Sequence, residues 1–298
     1  MFLLIQKLSM MNIAINGATG FIGSNLSHYL SCIGHSVIPI GRAIYYDQHK
    51  LKQTLEGTNV VINLAGASIN HRWSKSYQHE IYSSRVDVTR QLVKAINSLS
   101  HKPELLISAS AVGFYDSQGI HNEYNHRQGK GFLPALCRDW EAEANQVSSD
   151  IRLVITRFGV VFSSNGGAFP QMVRSIPWGI SFRIGNGHQI ISWIALADLM
   201  RAMEFIISHP ELDGIVNCTT PESITQGELA KAIANAYHIG IILSVPALLF
   251  KLLYGKASTV FTEGQHAKPV KLPEYGFSFI SPNAEDFLQR TAPKKTKK

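Results

Sequence analysis

At 298 residues the chain has room for two domains of about 150 residues, or for one with an appended lobe. An apolar fraction of 45% and a charged fraction of 16%, below the roughly 25% usual for soluble domains, exclude intrinsic disorder. The net charge is +7, but Lys294, Lys295, Lys297 and Lys298 supply four of the 28 cations; without them the balance is 24 against 21, or +3, too little to suggest a nucleic-acid partner.

The first ten residues are too short for a signal peptide and lack a small-residue cleavage site, and Met11 is a candidate start. Cys32, Cys137 and Cys218 are odd in number and lack CxxC spacing. They suggest neither a disulfide framework nor a metal site and fit a reducing, cytoplasmic location. No run approaches the roughly 18 apolar residues of a membrane span, and no membrane partner is expected. The richest stretch, Ile239 to Leu253, is broken by Ser244, Pro246 and Lys251 and reads as a strand, a turn and a buried helix.

From Asn12 onward, short β-branched runs alternate with helical patterns. The runs are 12–15, 36–40, 60–64, 105–108 and 152–156, continuously apolar as in parallel strands buried on both faces. Helices are predicted over 21–33 (stopping at Gly34), 76–97 and 132–147. The alternation predicts an α/β fold, a doubly wound parallel sheet. After Arg157, Gly and Pro become dense, a pattern of binding loops. A helix over 228–237 is capped by Thr225 with Glu228 three residues on, and Pro246 opens another that stops at Gly255.

The strongest local signal is Asn16-Gly17-Ala18-Thr19-Gly20-Phe21-Ile22-Gly23, between a strand and a helix. Gly17 permits a tight turn, Gly20 admits a pyrophosphate close to the backbone, and Gly23 lets the helix sit against the strand. Helix amides then face the phosphates, so Gly17, Thr19, Gly20, Phe21, Ile22 and Gly23 are expected to hold a dinucleotide. The second strand ends in Gly41-Arg42, where NAD sites usually carry an acid. A guanidinium there suits a 2′-phosphate, and NADP is the expected cofactor.

These residues resemble the extended short-chain dehydrogenase/reductase superfamily. The likeness is closest to the epimerase-like subgroup described as NAD-dependent epimerase/dehydratase proteins with a small C-terminal domain of unknown function. It spans Asn12 to Leu288 and rests also on Asn63-Leu64-Ala65-Gly66, Ser84-Arg85, Ser108-Ala109-Ser110-Ala111-Val112-Gly113 and Trp140-Glu141. Further matches are Arg157-Phe158-Gly159-Val160-Val161, Gly185-Asn186-Gly187-His188-Gln189, Ser192-Trp193-Ile194 and Glu263-Gly264-Gln265. The resemblance implies a Rossmann-type NADP-binding domain over 11–160, to which 190–220 returns. A smaller mixed α/β lobe is expected over 161–290, with a small domain at 246–290 and a disordered basic tail at 291–298. It further implies that Leu64, Ala65 and Gly66 lie against the adenosine half, that Arg85 serves the cofactor or pairs with Glu80, and that Val160 and Val161 line the nicotinamide pocket.

In that superfamily a Ser or Thr works with a Tyr-x-x-x-Lys pair. Ser110 fits the first position. The pair is missing, because the region reads Gly131-Phe132-Leu133-Pro134-Ala135-Leu136-Cys137. Tyr46-x-x-x-Lys50 has the spacing but lies on the adenosine side. Tyr115, on the loop after Ser110, is the candidate to assist it, and Glu123 and Tyr124 are placed to reach the cleft. Arg183 and His188 suit an anionic or polar substrate. The motif Trp193-Ile194-Ala195-Leu196-Ala197-Asp198 has Ala where the subgroup usually has His. Two readings stay open: an NADP-dependent oxidoreductase or epimerase-like enzyme on a small polar substrate, or a non-catalytic dinucleotide-binding sensor, as monomer or homodimer. A nucleotide-sugar epimerase is a weaker third, because it ordinarily needs the missing Tyr.

Overall fold

The computed structural model describes residues 10–292; the lysine tail and the first nine residues lie outside the described residues. The first half contains β1 (Asn12–Asn16), α1 (Phe21–Cys32), β2 (Ser36–Ile40), α2 (Arg42–Tyr45), α3 (Gln48–Leu55), β3 (Val60–Asn63), α4 (Lys75–Ser83), α5 (Val86–Asn97), β4 (Leu105–Ala111), α6 (Phe132–Ala144) and β5 (Arg152–Phe158). The second half contains β6 (Val160–Ser163), β7 (Gly166–Gly167), α7 (Phe169–Met172), β8 (Ile180–Ile184), β9 (Ile190–Ile191), β10 (Trp193–Ala195), α8 (Leu196–Ser208), β11 (Gly214–Cys218), β12 (Ile224–Thr225), α9 (Gln226–Ala236), β13 (Ile241–Val245), α10 (Ala247–Tyr254), α11 (Thr259–Thr262), α12 (Lys271–Glu274) and α13 (Ala284–Thr291).

Six strands form one parallel sheet in the order β11-β5-β4-β3-β1-β2. Side chains alternate across it. Ile13, Ile15, Val60, Ile62, Leu105 and Ile107 point to the layer holding α1 and α8, whereas Ala14, Val61 and Leu106 point to the layer holding α3 and α5. Both faces are covered, which explains the unbroken apolar runs. Chain direction across the sheet reverses between β1 and β3, and the crevice at such a switch point is where ligands of α/β sheets sit.

The predicted helix over 76–97 is two helices, α4 and α5, broken at Ser84-Arg85. The Ser84 hydroxyl accepts from the Ala67 amide (2.9 Å), and the Arg85 guanidinium donates to the Ala67 carbonyl (2.9 Å). The break therefore serves the loop after β3. The Thr225 capping box is present, with the Thr225 hydroxyl accepting from the Glu228 amide and the Glu228 carboxylate from the Thr225 amide. The Ile239–Leu253 reading needs correction: α10 forms but buries none of its residues.

Cys137 and Cys218 are buried and Cys32 is exposed. Burial pushes the Cys137 thiol up to about 12 and raises Cys218 also. Only Cys32 should react with a thiol reagent at pH 8, with all three reacting after denaturation. Native labelling of Cys137 would contradict the packing of α6 on β4.

Candidate cofactor cleft

The turn after β1 has the geometry its glycines predict. Gly17 sits at φ +86°, and a Cβ there would lie 2.9 Å from the Ala65 amide nitrogen. This close approach puts Leu64, Ala65 and Gly66 beside the turn, with the Leu64 amide donating to the Asn16 carbonyl (2.8 Å). Gly23 shares the buried face of α1 with Leu26 and Leu30, and its Cβ would fall on the Gly17 carbonyl oxygen. The helix begins at Gly20, which supplies no side-chain cap, and its first turn holds no acid. Its leading amides are left for an anion. The ring of Phe21 lies across Gly166 and Gly167, where added Cβ atoms would strike it, so the turn is roofed by β7 of the second half.

Side chains fix this frame from below. The Asn16 amide donates to Asn63 (3.0 Å), while Asn63 (2.8 Å) and the Trp140 indole (2.9 Å) both donate to the Thr89 hydroxyl. The chain links β1, β3, α5 and α6. Arg85 packs its guanidinium against Gly66, with the Trp140 ring 5.5 Å away. Of the two alternatives for Arg85, the pairing with Glu80 is absent among the described residues; Glu80 is exposed. Gly41 precedes α2, and Arg42 is exposed at its first position, without an ion pair among the described residues. Val160 is 37% exposed at the start of β6, and Val161 packs on the core below.

Ser110 and Tyr115 lie in a buried polar network. Arg157 and Glu141 form a two-pronged ion pair at 2.8 and 2.7 Å, and the Ser110 hydroxyl donates to Glu141 at 2.6 Å. The Arg157 guanidinium lies 3.7 Å from the Phe114 ring centroid and 4.8 Å from that of Tyr115. The Tyr115 hydroxyl donates to the Asn217 side-chain Oδ1 at 2.7 Å, and its ring stacks on His121 at 5.2 Å. Both candidates are buried, with Ser110 2% and Tyr115 1% exposed. Burial raises the Tyr115 phenol, although Arg157 and Asn217 pull the other way. Glu123 is buried too, and its carboxylate accepts the amides of Asn217 (3.0 Å), Val270 (3.0 Å) and Lys271 (3.4 Å). It ties the C-terminal segment to the sheet edge. Tyr124 stays on the surface and donates to Glu274.

Arg183 donates to the Ser244 hydroxyl (2.6 Å), joining β8 to β13, and His188 is exposed in the turn before β9. Neither bonds to the 16–23 turn among the described residues. Asp198, the acid of the Trp-Ile-x-x-x-Asp motif, is fully buried and accepts the amides of Ile280 (2.7 Å) and Ser281 (2.8 Å). The sequence reading missed Asn217 and the coupling of Glu141 to Arg157. A signal existed. Glu141 shares the helical stripe of Leu136, Cys137, Trp140 and Ala144, and Arg157 ends an apolar strand. Two opposite charges on faces that must be buried have to meet.

Asp116 bonds to Arg127 and His121. The Arg127 hydrogen bond, with help from the Gln118 amide and His121, holds its carboxyl below the ordinary 3.8, against a smaller opposing effect of burial. A depressed folded value gives stability that is present above 3.8 and lost as pH falls through that folded value. The melting advantage of wild type over Asp116→Asn should therefore be full at neutral pH and vanish in acid. An advantage independent of pH would contradict this.

The fold and the turn define a dinucleotide-type α/β protein. The chain belongs to the NAD dependent epimerase/dehydratase family, whose model matches residues 13–218, and a domain of unknown function (DUF1731) matches residues 245–291. It is 32% identical to the chloroplastic epimerase family protein SDR39U1 homolog of Arabidopsis thaliana, covering 95% of this chain and 87% of the relative. It is 34% identical to epimerase family protein SSP1921 of Staphylococcus saprophyticus, over 92% of this chain and 97% of the other. Among solved structures it is similar to human epimerase family protein SDR39U1 with NADPH, at TM-score 0.88 and 27% identity, covering 95% of this chain and 99% of that one.

Proposed function

We propose that the chain binds NADPH in the crevice between β1 and β3 and does not use a Ser-Tyr-Lys proton relay. The observation that carries the cofactor reading is the exposed Arg42, without an ion pair among the described residues, beside a glycine turn whose helix amides are free of side-chain caps. The donor set fits the group: amides of 21–23 at the start of α1 for the diphosphate, Arg42 for the 2′-phosphate, and Leu64 to Gly66 for the adenosine side. NADPH on the related human structure supports the same choice. When bound, the nicotinamide supplies hydride chemistry. The Val160 side chain, with the backbone at Val161, would wall its ring and keep water off one face.

Ser110 and Tyr115 act as positioning residues in this reading. Each hydroxyl is buried and already donates its proton within the protein, to Glu141 and to Asn217. The non-catalytic, redox-sensing role is favoured on that ground. The oxidoreductase reading on a small polar substrate retains one supporting observation, the accessible Val160 at the cleft. Arg42→Ala should weaken NADPH about 10- to 100-fold, the worth of charge-assisted hydrogen bonds, and leave NADH unchanged. Equal loss for both cofactors would remove Arg42 from the 2′-phosphate. NADPH oxidation with any member of a carbonyl panel, abolished by Ser110→Ala, would favour the enzyme.

A further inference from the structure

The C-terminal region turns its apolar side outward. β8 and β13 pair in parallel with Ile180 beside Ile241 and Phe182 beside Leu243. The alternate residue Ser181 is buried and donates to the Ala230 carbonyl of α9. Strand alternation therefore puts Ile180, Phe182, Ile241 and Leu243 on the face away from α9. That face is open: Phe182, Ile241 and Leu243 are 40%, 53% and 46% exposed. Trp178, just before β8, is 74% exposed.

α10 follows directly on this strand pair. A Cβ on Gly185, at the end of β8, would meet the Ala247 side chain, so the helix starts against the strand. At 100° per residue, Leu248, Leu249, Leu252 and Leu253 form one stripe, and they are 65%, 46%, 67% and 65% exposed. Tyr254, on the other side, packs against the buried cluster that includes Trp73, Ile81 and Ala257. Contiguous apolar area on this scale marks an interaction site.

Charge identifies what covers it. The segments 67–80, 169–190 and 239–263 contain Arg72, Lys75, Arg174, Arg183, Lys251 and Lys256 against Glu80 and Glu263; Arg183 alternates with Phe182 and faces α9, which leaves five cations to two acids. None of these six cations forms an ion pair among the described residues. Lys251 lies on α10 itself and Lys256 just beyond it. A two-fold pairing of this face with itself would set cations against cations. Leucines and an exposed Trp among an excess of cations match an anionic bilayer surface.

We propose that β8, β13 and α10 form a docking face for an anionic lipid surface, with the leucine stripe of α10 inserted among the acyl chains. The helix lies on the membrane and does not cross it; at 8 residues it is too short to span. The test is flotation of the full chain with vesicles of phosphatidylcholine alone or with one-third phosphatidylglycerol. Binding to the anionic vesicles should be at least about tenfold stronger, fall with added salt, and weaken in Lys251→Glu/Lys256→Glu. Leu252→Glu/Leu253→Glu should abolish it with an unchanged melt and unchanged NADPH affinity. Absence of binding, or equal binding to both vesicles, overturns the proposal. A concentration-dependent dimer that the leucine variant dissolves, without vesicle binding, also overturns it and gives the face to a second copy.

Discussion

Glu141→Leu is expected to destabilise the protein by about 3–5 kcal/mol, because it leaves the Arg157 charge buried without its partner. Arg157 is 1% exposed, and its surroundings are Phe114, Tyr115 and Ser110. The aromatic faces attract the cation but cannot replace a carboxylate that accepts two of its N–H groups. The loss should appear in urea denaturation as a lower midpoint with an unchanged slope. Glu141→Leu/Arg157→Leu removes both charges and should recover part of the stability, since a buried pair offsets its own desolvation only narrowly. A single variant costing under about 1 kcal/mol would mean that the pair is not buried in solution.

Gly23→Ala is the second large effect. The added methyl would fall on the Gly17 carbonyl, so α1 must shift away from the turn. Overpacking of this kind costs about 1–3 kcal/mol. The shift also moves the leading amides of α1 relative to Leu64 and Ala65, which define the opposite wall of the crevice. NADPH affinity should fall by more than about tenfold, the worth of a displaced charged hydrogen bond. Gly34→Ala is the control: Gly34 also has positive φ (+101°) but open space around it, so strain appears there without loss of affinity. Equal affinity losses in both variants would detach the effect from the crevice.

Five of the six sheet strands were legible because each is a mostly apolar run; the sixth, β11, is the short segment Gly214-Ile215-Val216-Asn217-Cys218, without such a run, and was not among the predicted strands. The glycine turn was legible because its spacing answers a backbone requirement. Thr225 and Glu228 were legible for the same reason: a helix terminus poses a local demand that local residues meet. Three further features were not. The break at Ser84-Arg85 is set by Ala67, 17 and 18 residues away, and local propensity favours helix throughout. Ser110 and Tyr115 have the residue types of a reacting pair, but their partners Glu141 and Asn217 come from distant segments. α10 is apolar nearly all round, so no polar face told which side would be buried.

Recognition of the cofactor's 2′-phosphate at the crevice between β1 and β3 is read most directly from isothermal titration of the wild-type chain with NADPH and with NADH. NADPH should bind at least about tenfold tighter. Absence of heat with both cofactors, or equal affinities, would contradict it.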